Sequence, residues 1–219
     1  MANLTVTNNI LVPAVPALPL GTVNYSREYQ DELNRVLRLY FQQLGGAFQA
    51  YLNEGGGRFL SVPCGSWFSN QAVTFSSNVA TVVTLNNTDT NATIDTTLSN
   101  GSVLVTYPGI YNYQFSIQFV NTDTQVHTAW IWLRKNGVDL AGTASKFDIP
   151  GKHGSSDGYL IAAANFYVQL QAGDYVEMWA AVENTAVYME AYAAQVSPFA
   201  MPSIPSVVAT LSFVSRVPS

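Results

Sequence analysis

Charge is scarce in this chain. Asp, Glu, Lys and Arg make up 11% of its 219 residues, where an ordinary soluble domain carries about a quarter. The net charge is −5 and the cations are scattered, which excludes the basic stripe a nucleic-acid surface needs. Cysteine occurs once, at Cys64; it has no partner for an intrachain disulfide or a CxxC zinc pair, so a buried thiol is expected. The two histidines, His127 and His153, form no H-x-x-x-H arrangement and read as surface or hydrogen-bonded residues rather than metal ligands.

Long apolar runs are missing too. Pro13, Pro16 and Pro19 interrupt the only uncharged N-terminal stretch, so no membrane span is expected. Because no Lys or Arg precedes Arg27, the start has no positive n-region and is not expected to act as a signal peptide. No G-x-S-x-G elbow is present. Asp89, Asp95, Asp123 and Asp139 fall in expected loops or strand ends but form no D-x-D-x-D-G array for Ca²⁺. The segment Gly151-Lys-His-Gly-Ser-Ser-Asp-Gly158 lacks the residue order of a phosphate loop and reads as a flexible strand connection. Neither cofactor, metal nor catalysis is expected.

What is present begins with a helix over residues 24–53. Tyr29, Leu33, Val36 and Tyr40 recur at alternating four- and three-residue steps, the spacing of a seam that faces other helices. No second helix of comparable length follows, so identical chains are expected to supply the partner. Ser26 or Asn24 suits the N-cap, Glu28, Asp31 and Glu32 suit the positive end of the macrodipole, and Asp31 and Arg35 are spaced as an ion pair. Past Tyr40 the apolar line shifts to Leu44, Phe48 and Tyr51. Gly45 and Gly46 each cost about 1 kcal/mol in a helix interior, so a kink or end is expected there, and Gly55-Gly56-Gly57 reads as a release point.

Residues 1–23 contain no charge. Regularly spaced prolines hold them extended and forbid helix. They carry Leu4, Val6, Ile10, Leu11, Val12, Val15, Leu18 and Leu20. Apolar side chains on an extended strand cannot bury one another, which predicts an arm docked on another protein.

From Phe59 the pattern changes to short alternating runs divided by turn signals, the sequence form of an all-β sandwich. In Gly109–Val120, Tyr111, Tyr113, Phe115, Ile117 and Phe119 alternate with Asn112, Gln114, Ser116 and Gln118, giving one core face and one wet face. Other expected strands are Ala72–Phe75, Val79–Leu85, Thr93–Leu98, Ser102–Tyr107, His127–Arg134, Leu160–Leu170, Tyr175–Val182, Ala186–Tyr192 and Val207–Val214. Asn100-Gly101 and Asn136-Gly137 suit type I′ hairpin turns. The count suits a jelly roll. Several strands are apolar on both faces: Trp130 and Trp132 interleave with Ala129, Ile131 and Leu133, and Tyr175/Trp179 alternates with Val176/Met178. One set fills a sandwich, while the other, with Tyr188 and Tyr192, is expected to face a neighbouring subunit.

At Gly109-Ile-Tyr-Asn-Tyr-Gln-Phe, Trp132-Leu-Arg-Lys-Asn-Gly, Leu170-Gln-Ala-Gly-Asp-Tyr-Val-Glu-Met and Pro205-Ser-Val-Val-Ala-Thr-Leu-Ser-Phe the chain resembles the C1q/tumour-necrosis-factor-like jelly rolls. It looks especially like those of tailed-bacteriophage virions. The resemblance covers roughly Tyr107 to Val214, without a G-X-Y repeat or a calcium or receptor motif. The layout of arm and helix, with Leu37-Arg-Leu-Tyr-Phe, is similar to virion proteins that attach through the N-terminus.

The resemblance implies a mainly β homotrimer. In order it has an extended anchoring arm (1–23), a helical stalk (24–53), a Gly-rich linker (54–63) and a jelly-roll head (64–219). Expected trimer contacts are Tyr29, Leu33, Val36, Tyr40, Leu44, Trp130, Trp132, Tyr188 and Tyr192. The eight aliphatic arm residues are expected to anchor it to a major capsid protein or another virion protein, at the virion surface, as decoration, cement or head fibre. An alternative is a tail-fibre or receptor-binding head for a host surface glycan. A glycan-processing enzyme would require two carboxylates facing across a cleft. Neither nucleic acid nor membrane is an expected partner.

Overall fold

The computed structural model describes residues 16–20, 24–52 and 62–217. The chain divides into two compact units, Met1–Ser61 with Ser219, and Val62–Pro218. Leu4, Val6, Ile10, Leu11, Val12 and Val15 of the expected arm lie outside the described residues, as does Gly55-Gly56-Gly57. Leu18 and Leu20 are described, and both are exposed.

In the first unit, α1 (Arg27–Leu52) is a single helix. Ser26 caps it, its Oγ accepting the Tyr29 N–H at 3.3 Å, which satisfies one orphan donor of the first turn. The expected Asp31–Arg35 pair does not form. Arg35 instead grips Glu32 with two bonds, at 2.8 and 2.6 Å, and Asp31 stands 3.8 Å from Arg27. A fork-on-carboxylate geometry is the stronger choice for arginine, although exposed pairs of this kind contribute little stability. The expected break at Gly45-Gly46 is absent as well, since the helix runs through both. Tyr29, Leu33, Val36, Tyr40 and Leu44 fall on one half-buried stripe, and none of the described α1 side chains is buried.

The second unit is built from short and long strands. In chain order the first seven are β1 (Cys64–Ser69), β2 (Val73–Thr74), β3 (Thr81–Val83), β4 (Asn87–Thr88), β5 (Thr96–Ser99), β6 (Ser102–Val105) and β7 (Gly109–Asn121). After them come β8 (His127–Lys135), β9 (Val138–Asp139), β10 (Ser145–Ile149), β11 (Gly158–Leu170), β12 (Tyr175–Val182), β13 (Val187–Met189) and β14 (Val207–Ser215).

All pairings between these strands are antiparallel. The first sheet has the order β2-β13-β7-β14-β1-β4, and β11 pairs with β7 along the edge that β13 and β14 leave open. The second has the order β10-β8-β12-β6-β5, with β3 also on β12 and β9 on β8. The principal strands of the two sheets, β1-β14-β7-β11 facing β6-β12-β8-β10, have jelly-roll connectivity, each sheet taking strands from early and late in the chain.

The core lies between the sheets. Tyr111, Tyr113, Ile117 and Phe119 from β7 meet Ile131 and Leu133 from β8 and Met178 from β12, all at most 1% exposed. Both Asn-Gly pairs form the expected tight hairpins, with φ of 50° and 79° at Asn100 and Gly101, and 52° and 78° at Asn136 and Gly137. Sequence reading passed over β1, β4, β9 and β10. Strand β1, Cys-Gly-Ser-Trp-Phe-Ser, opens with residues that favour turns, and β10, Ser-Lys-Phe-Asp-Ile, alternates charge with apolar residues on an outer strand of its sheet. Cys64 is half-buried rather than buried, with its Sγ 3.7 Å from the Ala92 carbonyl oxygen. The connection 151–158 is held closely: the Lys152 N–H donates to the Asp123 carbonyl at 2.6 Å, and a β-carbon on Gly158 would fall 1.8 Å from the Pro150 oxygen.

Candidate functional site

Residues that alternate with the core set form the outward face of each sheet, and the two faces differ in chemistry. Strands β1, β7, β11 and β14 contain no charged residue. On the outward face of the first sheet, β7 presents Asn112, Gln114, Ser116 and Gln118, and β14 presents Val208, Thr210 and Ser212, by alternation with their buried residues. Strand β11 adds Tyr159, Ile161 and Tyr167, which are 57%, 60% and 69% exposed. That strand's second edge pairs with no strand among the described residues.

Val120 also points away from the core, yet it is 1% exposed. Register explains this, because Tyr159 lies opposite Val120 on β11 and Tyr188 lies opposite it on β13. Tyr192 joins the same group through hydrogen bonds to Glu190 and Tyr159. Burial pushes the Tyr188 phenol up, and the Glu190 charge adds to the effect; burial likewise raises Tyr192, with Glu190 and Tyr159 contributing. These phenols are neutral hydrogen-bonding groups at neutral pH.

Trp130 and Trp132 occupy the outward face of the second sheet, opposite in direction to Ala129, Ile131 and Leu133. Trp179 lies directly across from Trp132 on β12. Asp139 accepts from the Trp132 indole N–H at 2.7 Å and from Arg134 Nε at 2.5 Å. The Arg134 guanidinium sits 3.7 Å from the centre of the Trp179 ring, a cation–π arrangement. Arg134 holds the Asp139 carboxyl below the usual carboxylate range, and the Trp132 N–H lowers it further.

Trp130, Trp132, Tyr188 and Tyr192 therefore do not share a face: the tryptophans are on the second sheet and the tyrosines on the first. Sequence reading missed Tyr159, Ile161 and Tyr167. The available signal was the placement of Tyr159, Ile161 and Tyr167 at even spacing in an uncharged stretch, which begins one residue earlier than Leu160.

The candidate chemical groups are accounted for by local structure. His127 Nε2 stands 2.8 Å from Asp123 Oδ2, and Nδ1 stands 4.0 Å from Glu183 Oε2. Asp89 accepts from the Asn91 N–H at 3.1 Å, and Asp95 occupies a positive-φ position. Among the described residues no group of three or more His, Cys, Asp or Glu is arranged to hold a metal, and no helix is long and apolar enough to cross a membrane.

No family model and no curated protein matches the chain. Among solved structures, the chain is similar to Eiger TNF from S. frugiperda, at 12% identity and TM-score 0.45, over 72% of this chain and 96% of that one. It is also similar to the globular domain of zebrafish complement 1qA, at 16% identity and TM-score 0.41, over 71% of this chain and 99% of that one. At these scores the likeness supplies no site, partner or activity, and the jelly-roll assignment rests on the strand order.

Proposed function

We propose that this chain is a non-enzymatic structural protein of a bacteriophage virion. It is a homotrimeric decoration, cement or head-fibre protein, anchored through residues 1–23 and α1 and displaying the jelly-roll head. The observation that carries the assembly part is the outward face of the first sheet, with its charge-free strands and the exposed Tyr159, Ile161 and Tyr167. Interface cores are depleted of charge and enriched in tyrosine, and an unpaired apolar edge strand in a monomer invites association. The α1 stripe supports the same reading, because a helix gains most of its stability from burying an amphipathic face and this one buries none of its described side chains.

Attachment to a particle is supported by the composition of residues 1–23, aliphatic and without charge. Burying one aliphatic side chain is worth about 1.5–3 kcal/mol, and three linked arms would gain roughly 10²- to 10⁴-fold in avidity over one. Sedimentation equilibrium of the full chain tests the assembly: a trimer is expected, and a monomer at micromolar concentration would overturn it. Deleting residues 1–20 is expected to leave a trimer that no longer cosediments with particles lacking the protein. Equal binding by the truncated trimer would remove the anchoring role.

A further inference from the structure

We propose that the outward face of the second sheet is a saccharide-binding platform built on Trp130 and Trp132, taking an extended neutral oligosaccharide of equatorially substituted pyranoses. Trp130 and Trp132 are two residues apart on β8, so their origins lie roughly 6.6 Å apart along the strand. Trp179, across from Trp132 at a cross-strand Cβ spacing of about 5 Å, carries the Arg134 guanidinium over its ring and so flanks the platform without offering a stacking face of its own. Pyranoses with equatorial substituents present a flat layer of C–H groups that packs on an aromatic face. A row of indoles along one strand therefore offers successive stacking positions to successive sugar rings.

The polar groups needed to orient hydroxyls stand beside the indoles. Asp139 is held by Trp132 and Arg134, and Lys146, opposite Trp130 on β10, pairs with Asp148 at 3.4 Å. Small-ligand sites combine an aromatic floor with a few fixed polar groups in this way. Position 181, across from Trp130 on β12, is an alanine, so the cross-strand partner on that side is small.

Charge decides between a saccharide and a second protein surface. The first sheet's face has the uncharged composition of a protein interface, whereas this face interleaves its indoles with Arg134, Asp139, Lys146, Asp148 and Glu177. Desolvating those groups against an apolar partner would be costly, but hydroxyls and water keep them hydrogen-bonded. Because both cations are already paired with carboxylates, the face has no excess positive charge to select an acidic polysaccharide. The proposal goes beyond the virion reading and involves only the second sheet, so its test and the sedimentation test fail separately.

The experiment titrates the full chain with cellohexaose and, separately, chitohexaose, following tryptophan fluorescence and binding heat. Three of the four tryptophans are on this face, and the fourth, Trp67, is fully buried. A saturable change with at least one oligosaccharide is expected. Trp130→Ala and Trp132→Ala should each weaken it about tenfold, the scale of an aromatic contact, while Trp132→Phe should stay within about threefold because a stacking face remains. The thermal midpoint of each variant is measured alongside, and the wild-type titration stands even where an alanine variant does not fold. No response to either oligosaccharide at about 10 mM, a concentration that detects even millimolar affinity, would overturn the proposal. Undiminished binding by folded Trp130→Ala and Trp132→Ala would also overturn it. So would a Trp130→Ala variant that changes the oligomeric state while neither sugar binds, an outcome that would assign the face to protein association.

Discussion

Trp67 lies over Gly65, and a β-carbon at position 65 would stand 2.2 Å from both Cζ2 and Cη2 of the indole. Glycine is what lets β1 carry a fully buried tryptophan one step along the same face. Gly65→Ala should force the ring from its place and destabilise the head by about 1–3 kcal/mol, the usual cost of overpacking a close-packed interior. Thermal or urea denaturation of the variant checks this, and an unchanged midpoint would contradict the packing described for β1.

Gly45 and Gly46 present the opposite case. A β-carbon at either position would meet nothing within 4 Å, and α1 continues through both. Alanine at each site should therefore stabilise the helix by about 1 kcal/mol, seen as greater helical ellipticity and a higher melting temperature for α1. A loss of helicity would show that the glycines answer a need of the assembled protein that α1 alone does not impose.

Acid should destabilise the head, and Asp123, Asp139 and Asp148 should contribute to the loss. Asp123, Asp139 and Asp148 are each held below the usual carboxylate range, first by hydrogen bonds from His127, Arg134 and Thr128 respectively. A carboxyl with a lower pKa in the folded state contributes its full stability above the unfolded value, about 3.9, and loses it as pH falls through the folded value. The thermal midpoint should thus drop as pH is lowered from about 4 to about 2. Asp123→Asn should flatten part of that drop, and an unaltered pH profile in the variant would exclude its contribution.

Much of the head was legible before folding because its signals are local. The alternation from Tyr111 to Phe119 already separates the core face of β7 from its wet face. Both Asn-Gly pairs announce their turns because few other dipeptides tolerate positive φ at two successive positions. The α1 stripe follows similarly from helical period. Strand β1 was hidden because its Cys-Gly-Ser start favours turns; pairing along its whole length with β14, from the far end of the chain, and in part with β4 makes it a strand.

Residue period and backbone geometry act over a few neighbours, and they suffice to put large side chains on both faces of several strands. Tertiary structure decided which of those faces belong together. Tyr159 and Tyr188 come from different strands to cover Val120, and Trp179 comes from β12 to stand across from Trp132. Strand register sets these meetings, and a slip of one residue would send each side chain to the other face. Register is specified by the whole set of buried contacts between distant strands, so no short stretch of the chain states it.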